Sequence, residues 1–131
     1  MTAESLWCTI PDIDQIRTPS SMMFEQGAAL KTMTKGRLVT NIKKSDTRNM
    51  FTYELSVVVP SLANYSQKIL KVTHDLMIYP AKLFHEQSGD EFTAHDDKEF
   101  LTQLGTILGS DETRLIIAGL NAQVRLATED D

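Results

Sequence analysis

Apolar and polar positions alternate most regularly between Met50 and Val59. Phe51, Tyr53, Leu55, Val57 and Val59 fall on one side of an extended chain, and Met50, Thr52, Glu54, Ser56 and Val58 on the other. Successive side chains of a strand point to opposite faces, so this pattern predicts a half-buried strand over 50–59. Pro60 offers no ladder donor and ends it. Residues 37–46 predict a preceding strand with Leu38 and Ile42 on one face, and 45–49 supply turn residues between the two. A third strand is predicted over 67–78, with Leu70, Val72, Leu76 and Ile78 on one face and His74 among them. After Pro80, residues 81–85 predict a fourth strand, 86–90 a turn, and 92–94 a short return strand. Connections this short favour antiparallel neighbours.

Helical spacing flanks the strands. Thr18 and Pro19 form a cap and first-turn pair, followed by Met22, Met23, Gln26, Ala29, Leu30 and Met33 on one face. This methionine-rich stripe is expected to be core, and Gly36 is a natural stop. Near the C-terminus, Asp96 with Glu99 resembles a capping box. Phe100, Leu101, Leu104, Ile107 and Leu108 then form a buried stripe. Gly109 stops that helix and Ser110 caps the next, which presents Leu115, Ile116, Ile117, Leu120 and Val124. The predicted fold class is therefore α+β. An N-terminal helix leads into an antiparallel meander of three to five strands, and two C-terminal helices pack on one sheet face. The domain reading is an apolar arm over 1–17, a single domain over 18–127 and an acidic tail over 128–131. In layout alone this order is similar to small acidic helix-and-sheet binding proteins such as secretion chaperones and immunity proteins, and layout does not carry function.

Bulk composition narrows the classes. The chain has 131 residues, a formal net charge of −5 and one cysteine. A lone Cys8 excludes an internal disulfide framework and a cysteine-based zinc cage. It also fits a reducing compartment, so a cytoplasmic location is expected. No apolar run approaches the length of a membrane span, and the N-terminal residues lack the pattern of a signal peptide. The acidic balance disfavours nucleic acid as a partner.

The charge is unevenly distributed. Residues 31–48 hold six basic side chains against Asp46 alone, and residues 86–99 hold six acids against Lys98 alone. Two such runs are read either as two solvated surfaces, with the acids partly explained by turns and helix starts, or as a bipolar surface that meets a partner protein or a second copy of the chain. Partner contact is expected from Lys43, Lys44 and Arg48 and from Glu91, Asp96 and Asp97; the apolar arm with Trp7 is expected either to pack on its own domain or to dock on a partner.

Chemistry is less evident. His74, His85 and His95 are each followed by an acid, but neighbours on a strand face apart, so His74 and Asp75 are not expected to pair. His74 is expected to be a buried, hydrogen-bonded core histidine. The histidine spacing fits no metal-binding motif, and no nucleophile elbow or phosphate loop is present, so no metal, cofactor or catalytic constellation is expected. The Tyr79–Pro80 bond is expected to be trans. The reading that follows is a non-enzymatic protein-interaction module that uses segregated charge and an apolar arm. The alternative is a small enzyme or ligand-binding protein with a pocket between helix and sheet near His74, lined by Asp75, Tyr53 and Tyr79. A homo-oligomer through Val58 or a sheet edge is compatible with the first reading.

Overall fold

The computed structural model describes residues 17–129, with side chains through Val124. Expectations for Trp7, Cys8 and the rest of residues 1–16, and for residues 130–131, lie outside the described residues. The fold is α+β. Helix α1 (Pro19–Met33) leads into strands β1 (Val39–Thr47), β2 (Met50–Val59), β3 (Tyr65–His74), β4 (Ala81–His85) and β5 (Glu91–Ala94). Helices α2 (Asp97–Leu108) and α3 (Asp111–Glu129) follow. The five strands form one antiparallel meander in the order β1-β2-β3-β4-β5.

The alternation in β2 sets the layering. Tyr53, Leu55, Val57 and Val59 are buried on its inner face. There they join Leu70 and Val72 of β3, Ala81 and Leu83 of β4 and Ala94 of β5. Met22 and Met23 of α1 and Phe100, Leu104 and Ile107 of α2 close this core. The outer face carries Lys43, Glu54 and Lys71 in cross-strand register. Opposite charges across neighbouring strands support the sheet and keep this face polar. Lys68 adds an ion pair to Glu54 at 3.5 Å.

One register feature escapes the period-two pattern. Leu55 pairs with Leu70, but Ser56 pairs with Lys68, which leaves Ile69 as the extra residue of a β-bulge. The bulge lets Ile69 and Leu70, adjacent in sequence, both be buried.

Strand β3 stops at His74, four residues short of the expected end. Asp75 causes this. Its carboxylate accepts the Met77 N–H at 2.8 Å, a local turn that competes with the ladder. Leu76 and Met77 are consequently exposed rather than part of a buried face. Ile78 then takes φ 73°, which is unusual for a β-branched residue. The Tyr79–Pro80 bond at this corner is cis, where trans was expected.

The helix starts expected from the caps at Thr18 and Asp96 are present. The Thr18 hydroxyl accepts the Ser21 N–H at 3.2 Å, and the Asp96 carboxylate accepts the Glu99 N–H at 2.8 Å. The return bond of the second box differs. Glu99 accepts the backbone N–H of His95, one residue before the cap, at 3.0 Å, and it also meets the His95 ring nitrogen at 3.0 Å. These bonds, the backbone one first, hold the Glu99 carboxyl below its usual pKa.

Tyr79 ties the corner to the start of α1. Its hydroxyl donates to the Arg17 carbonyl at 2.7 Å. Burial, with the nearby Asp97 charge, pushes the phenol pKa up to about 12. Only the protonated phenol can donate this bond. A pKa raised on folding gives stability that is complete below the unfolded value near 10 and is lost as pH rises toward 12. Tyr79→Phe is therefore expected to melt below wild type at pH 9, with the gap narrowing between pH 10 and 12. A gap unchanged across that range would contradict the role given to the phenol.

Candidate functional site

An apolar cleft opens between α1 and α3 above the inner face of the sheet. Its volume is about 410 Å³. Gln26, Ala29, Leu30 and Met33 form one wall on α1, and Arg114, Ile117, Ala118 and Asn121 the other on α3. The floor is Leu55, Val57 and Ile69, so it lies directly over the bulge between β2 and β3. Leu108 and Thr113 close one end at the α2–α3 corner.

Small side chains, Gly27 and Ala29 on α1 and Ala118 on α3, stand among the lining. Gly27 also sets how closely α1 lies on β1. A Cβ there would run into the Thr40 hydroxyl and sit 3.3 Å from the Thr40 Cβ.

The stripe expected to be core divides accordingly. Met22 and Met23 are fully buried, whereas Met33 is 80% exposed at the cleft mouth and Gln26 and Ala29 are exposed along it. The physical reason lies opposite them: among the described residues, no side chain of α3 fills the space. Leu115, one of the apolar residues expected on the inner side of α3, is 73% exposed.

A hydrogen-bond network fixes the start of α3 beside the cleft. His85 is buried at the end of β4. Its Nδ1 lies 2.8 Å from the Ser88 hydroxyl and its Nε2 lies 3.2 Å from the Thr113 hydroxyl. Thr113 donates to the Ile107 carbonyl at 2.8 Å. Its proton is thereby committed, so His85 donates from Nε2 and receives the Ser88 proton at Nδ1. Ser110 caps α3, its oxygen accepting the Thr113 N–H at 3.2 Å. One cleft-wall atom has no partner: Asn121 Oδ1 is buried and makes no hydrogen bond.

The region around His74, where the alternative reading places a pocket, holds packed rings. Phe51 and Tyr53 lie with ring centroids 5.6 and 5.5 Å from the His74 ring. His74 Nδ1 meets the Asp75 carbonyl at 2.7 Å, while the Asp75 carboxylate turns to Met77. Tyr79 is engaged with Arg17. These four residues do not line the cleft. Aromatic packing at this end of the inner face takes up the space that a pocket there would need.

The charged candidates are not brought together. Lys43 and Lys44 are adjacent on β1 and face opposite sides; Lys43 pairs across to Glu54, and Lys44 lies 6.0 Å from the Phe51 ring centroid. Arg48 sits at the β1–β2 turn with φ 58°. Lys31 and Lys35 belong to the opposite end of β1, about 27 Å away at ~3.4 Å per residue. The acidic run is divided in the same way. Glu91 begins β5, whereas Asp96 and Asp97 lie past its end at the start of α2. The basic run extends along the length of β1 and the acidic run lies at both ends of the short β5.

Among the described residues, no group of three or more His, Cys, Asp or Glu is placed to hold a metal ion, and no helix is long and apolar enough to cross a membrane. Comparison of the chain with protein-family models, with curated proteins and with solved structures finds no match.

Proposed function

We propose that this chain is a non-enzymatic protein-interaction module that receives an apolar segment of a partner protein in the α1–α3 cleft. The observation that carries this reading is the cleft itself, with apolar walls on two helices, an apolar sheet floor and Met33 standing exposed at the mouth. Contiguous apolar surface on a small domain marks interaction sites, and a groove between helices suits side chains presented at helical spacing. Charge then plays a smaller part than its clustering in sequence implies, because the basic run extends along β1 and the acidic run lies at both ends of β5.

A second reading, a site for a small apolar ligand, is favoured by one observation. A volume of about 410 Å³ falls within the range of small-molecule pockets.

Photo-crosslinking tests the first reading. A benzophenone side chain at Met33 is expected to form protein adducts in cells, and the same group at Thr93 on the outer face is not. Filling the cleft with Ala118→Trp should suppress the Met33 adducts. Adducts from Thr93 alone, or Met33 adducts indifferent to Ala118→Trp, would overturn it.

A further inference from the structure

We propose that the partner segment is an amphipathic helix that places a carboxylate opposite Arg114 and a side-chain hydrogen-bond donor opposite Asn121, an inference that rests on the cleft reading above. Arg114 is the only charged residue in the cleft lining among the described residues. Its guanidinium makes no ion pair among the described residues. An occupant carrying an acid would meet a cation there, and one carrying a base would meet the same sign; charge of this kind selects partners more than it adds affinity.

Asn121 adds a second constraint. A buried carbonyl oxygen without a donor costs free energy that a partner's N–H or O–H can recover. Arg114 and Asn121 are seven residues apart on α3, about 10.5 Å along the axis at ~1.5 Å per residue. Ile117 and Ala118 face the cleft between them.

A second helix laid along α3 repeats the same period. An acid and a Ser, Thr, Asn or Gln seven residues apart on it would therefore meet both groups at once, with apolar residues between them filling the cleft. The small, exposed wall residues Ala29 and Ala118 leave room for its side chains. An ionised fatty acid meets the demands of Arg114 and the walls but brings no donor for Asn121. An extended peptide lacks the shared period. The helix meets all three demands.

Selection of a phage-displayed library of random 18-residue peptides on the full chain tests this. The expected winners carry apolar residues at helical spacing with an acid on the apolar border. Arg114→Glu should weaken these peptides by about tenfold, a size usual for a charge pair partly removed from water. A parallel selection on the Arg114→Glu protein should yield basic peptides instead. Asn121→Leu should weaken the original winners several-fold, and Ala118→Trp should abolish their binding.

Arg114 and Ala118 are exposed, and thermal melts verify that each variant folds. Winners lost on Ala118→Trp but unaffected by Arg114→Glu would overturn the acidic-helix proposal and leave the cleft reading standing. Winners indifferent to both variants would overturn both. No enriched peptide, with decanoate binding wild type and failing to bind Ala118→Trp, would overturn the helix in favour of a small apolar ligand.

Discussion

Adding one methyl group at Gly27 is expected to destabilise the protein by about 1–3 kcal/mol, the usual cost of overpacking a close contact. The sign is diagnostic. Within a helix, alanine is favoured over glycine by roughly 1 kcal/mol, so an open position would gain stability from Gly27→Ala. Here the new Cβ meets the Thr40 hydroxyl where α1 lies on β1. Thr40 is β-branched and has little freedom to rotate away. The measurement is thermal or urea unfolding of Gly27→Ala beside Gly27→Ala with Thr40→Ala. The single variant should melt lower by roughly 4–12 °C at about 4 °C per kcal/mol, and the double variant should recover most of the loss. A single variant as stable as wild type would mean that α1 does not sit this close to β1, and the cleft wall would be misplaced with it.

His85→Leu is expected to cost about 2–3 kcal/mol, because it removes two hydrogen bonds at a buried site. The loss should be localised. His85 links the end of β4 to Thr113 in the first turn of α3 and, through Ser88, to the β4–β5 turn. Without it, α3 is anchored at that end by the Ser110 cap and the Ile107 carbonyl alone. Hydrogen exchange should therefore speed up in residues 111–117 more than in β2 or β3, since local opening follows the weakest anchored element. Uniform acceleration across the sheet would show that His85 supports the core at large rather than the position of the cleft wall.

Much of the fold was legible because it rests on local rules. The boundaries of β2 follow from its alternation and from Pro60. The start of α2 follows from Asp96, and the α2–α3 corner from Gly109 and Ser110. The errors arose where a side chain acts on the backbone or where two distant elements fail to meet. Asp75 takes the Met77 amide and ends β3 early, although Leu76 and Ile78 continue its apolar pattern. The bulge at Ile69 places two consecutive residues inside, which a period of two cannot express.

The cleft was missed for a related reason. An apolar stripe on a helix states which side avoids water, and says nothing of whether another element fills the space opposite it. Met22 and Met33 look alike in the pattern and end fully buried and largely exposed. The small residues at Gly27, Ala29 and Ala118 were the available signal, since they mark where two helices can approach a third body. Clustering of charge in sequence is likewise not clustering in space. Residues adjacent in sequence on β1 diverge to the two faces of the sheet, so a cluster in sequence became a dispersed set in space.

The central claim is that the cleft between α1 and α3 receives the partner. Methyl NMR of the wild-type protein, titrated with the tightest peptide from the library selection, tests it most directly. Shift changes and intermolecular contacts are predicted at Leu30, Met33 and Ile117, with Val58 and Thr93 on the outer face unmoved. Changes confined to the outer face, with Leu30, Met33 and Ile117 undisturbed at saturation, would contradict the account.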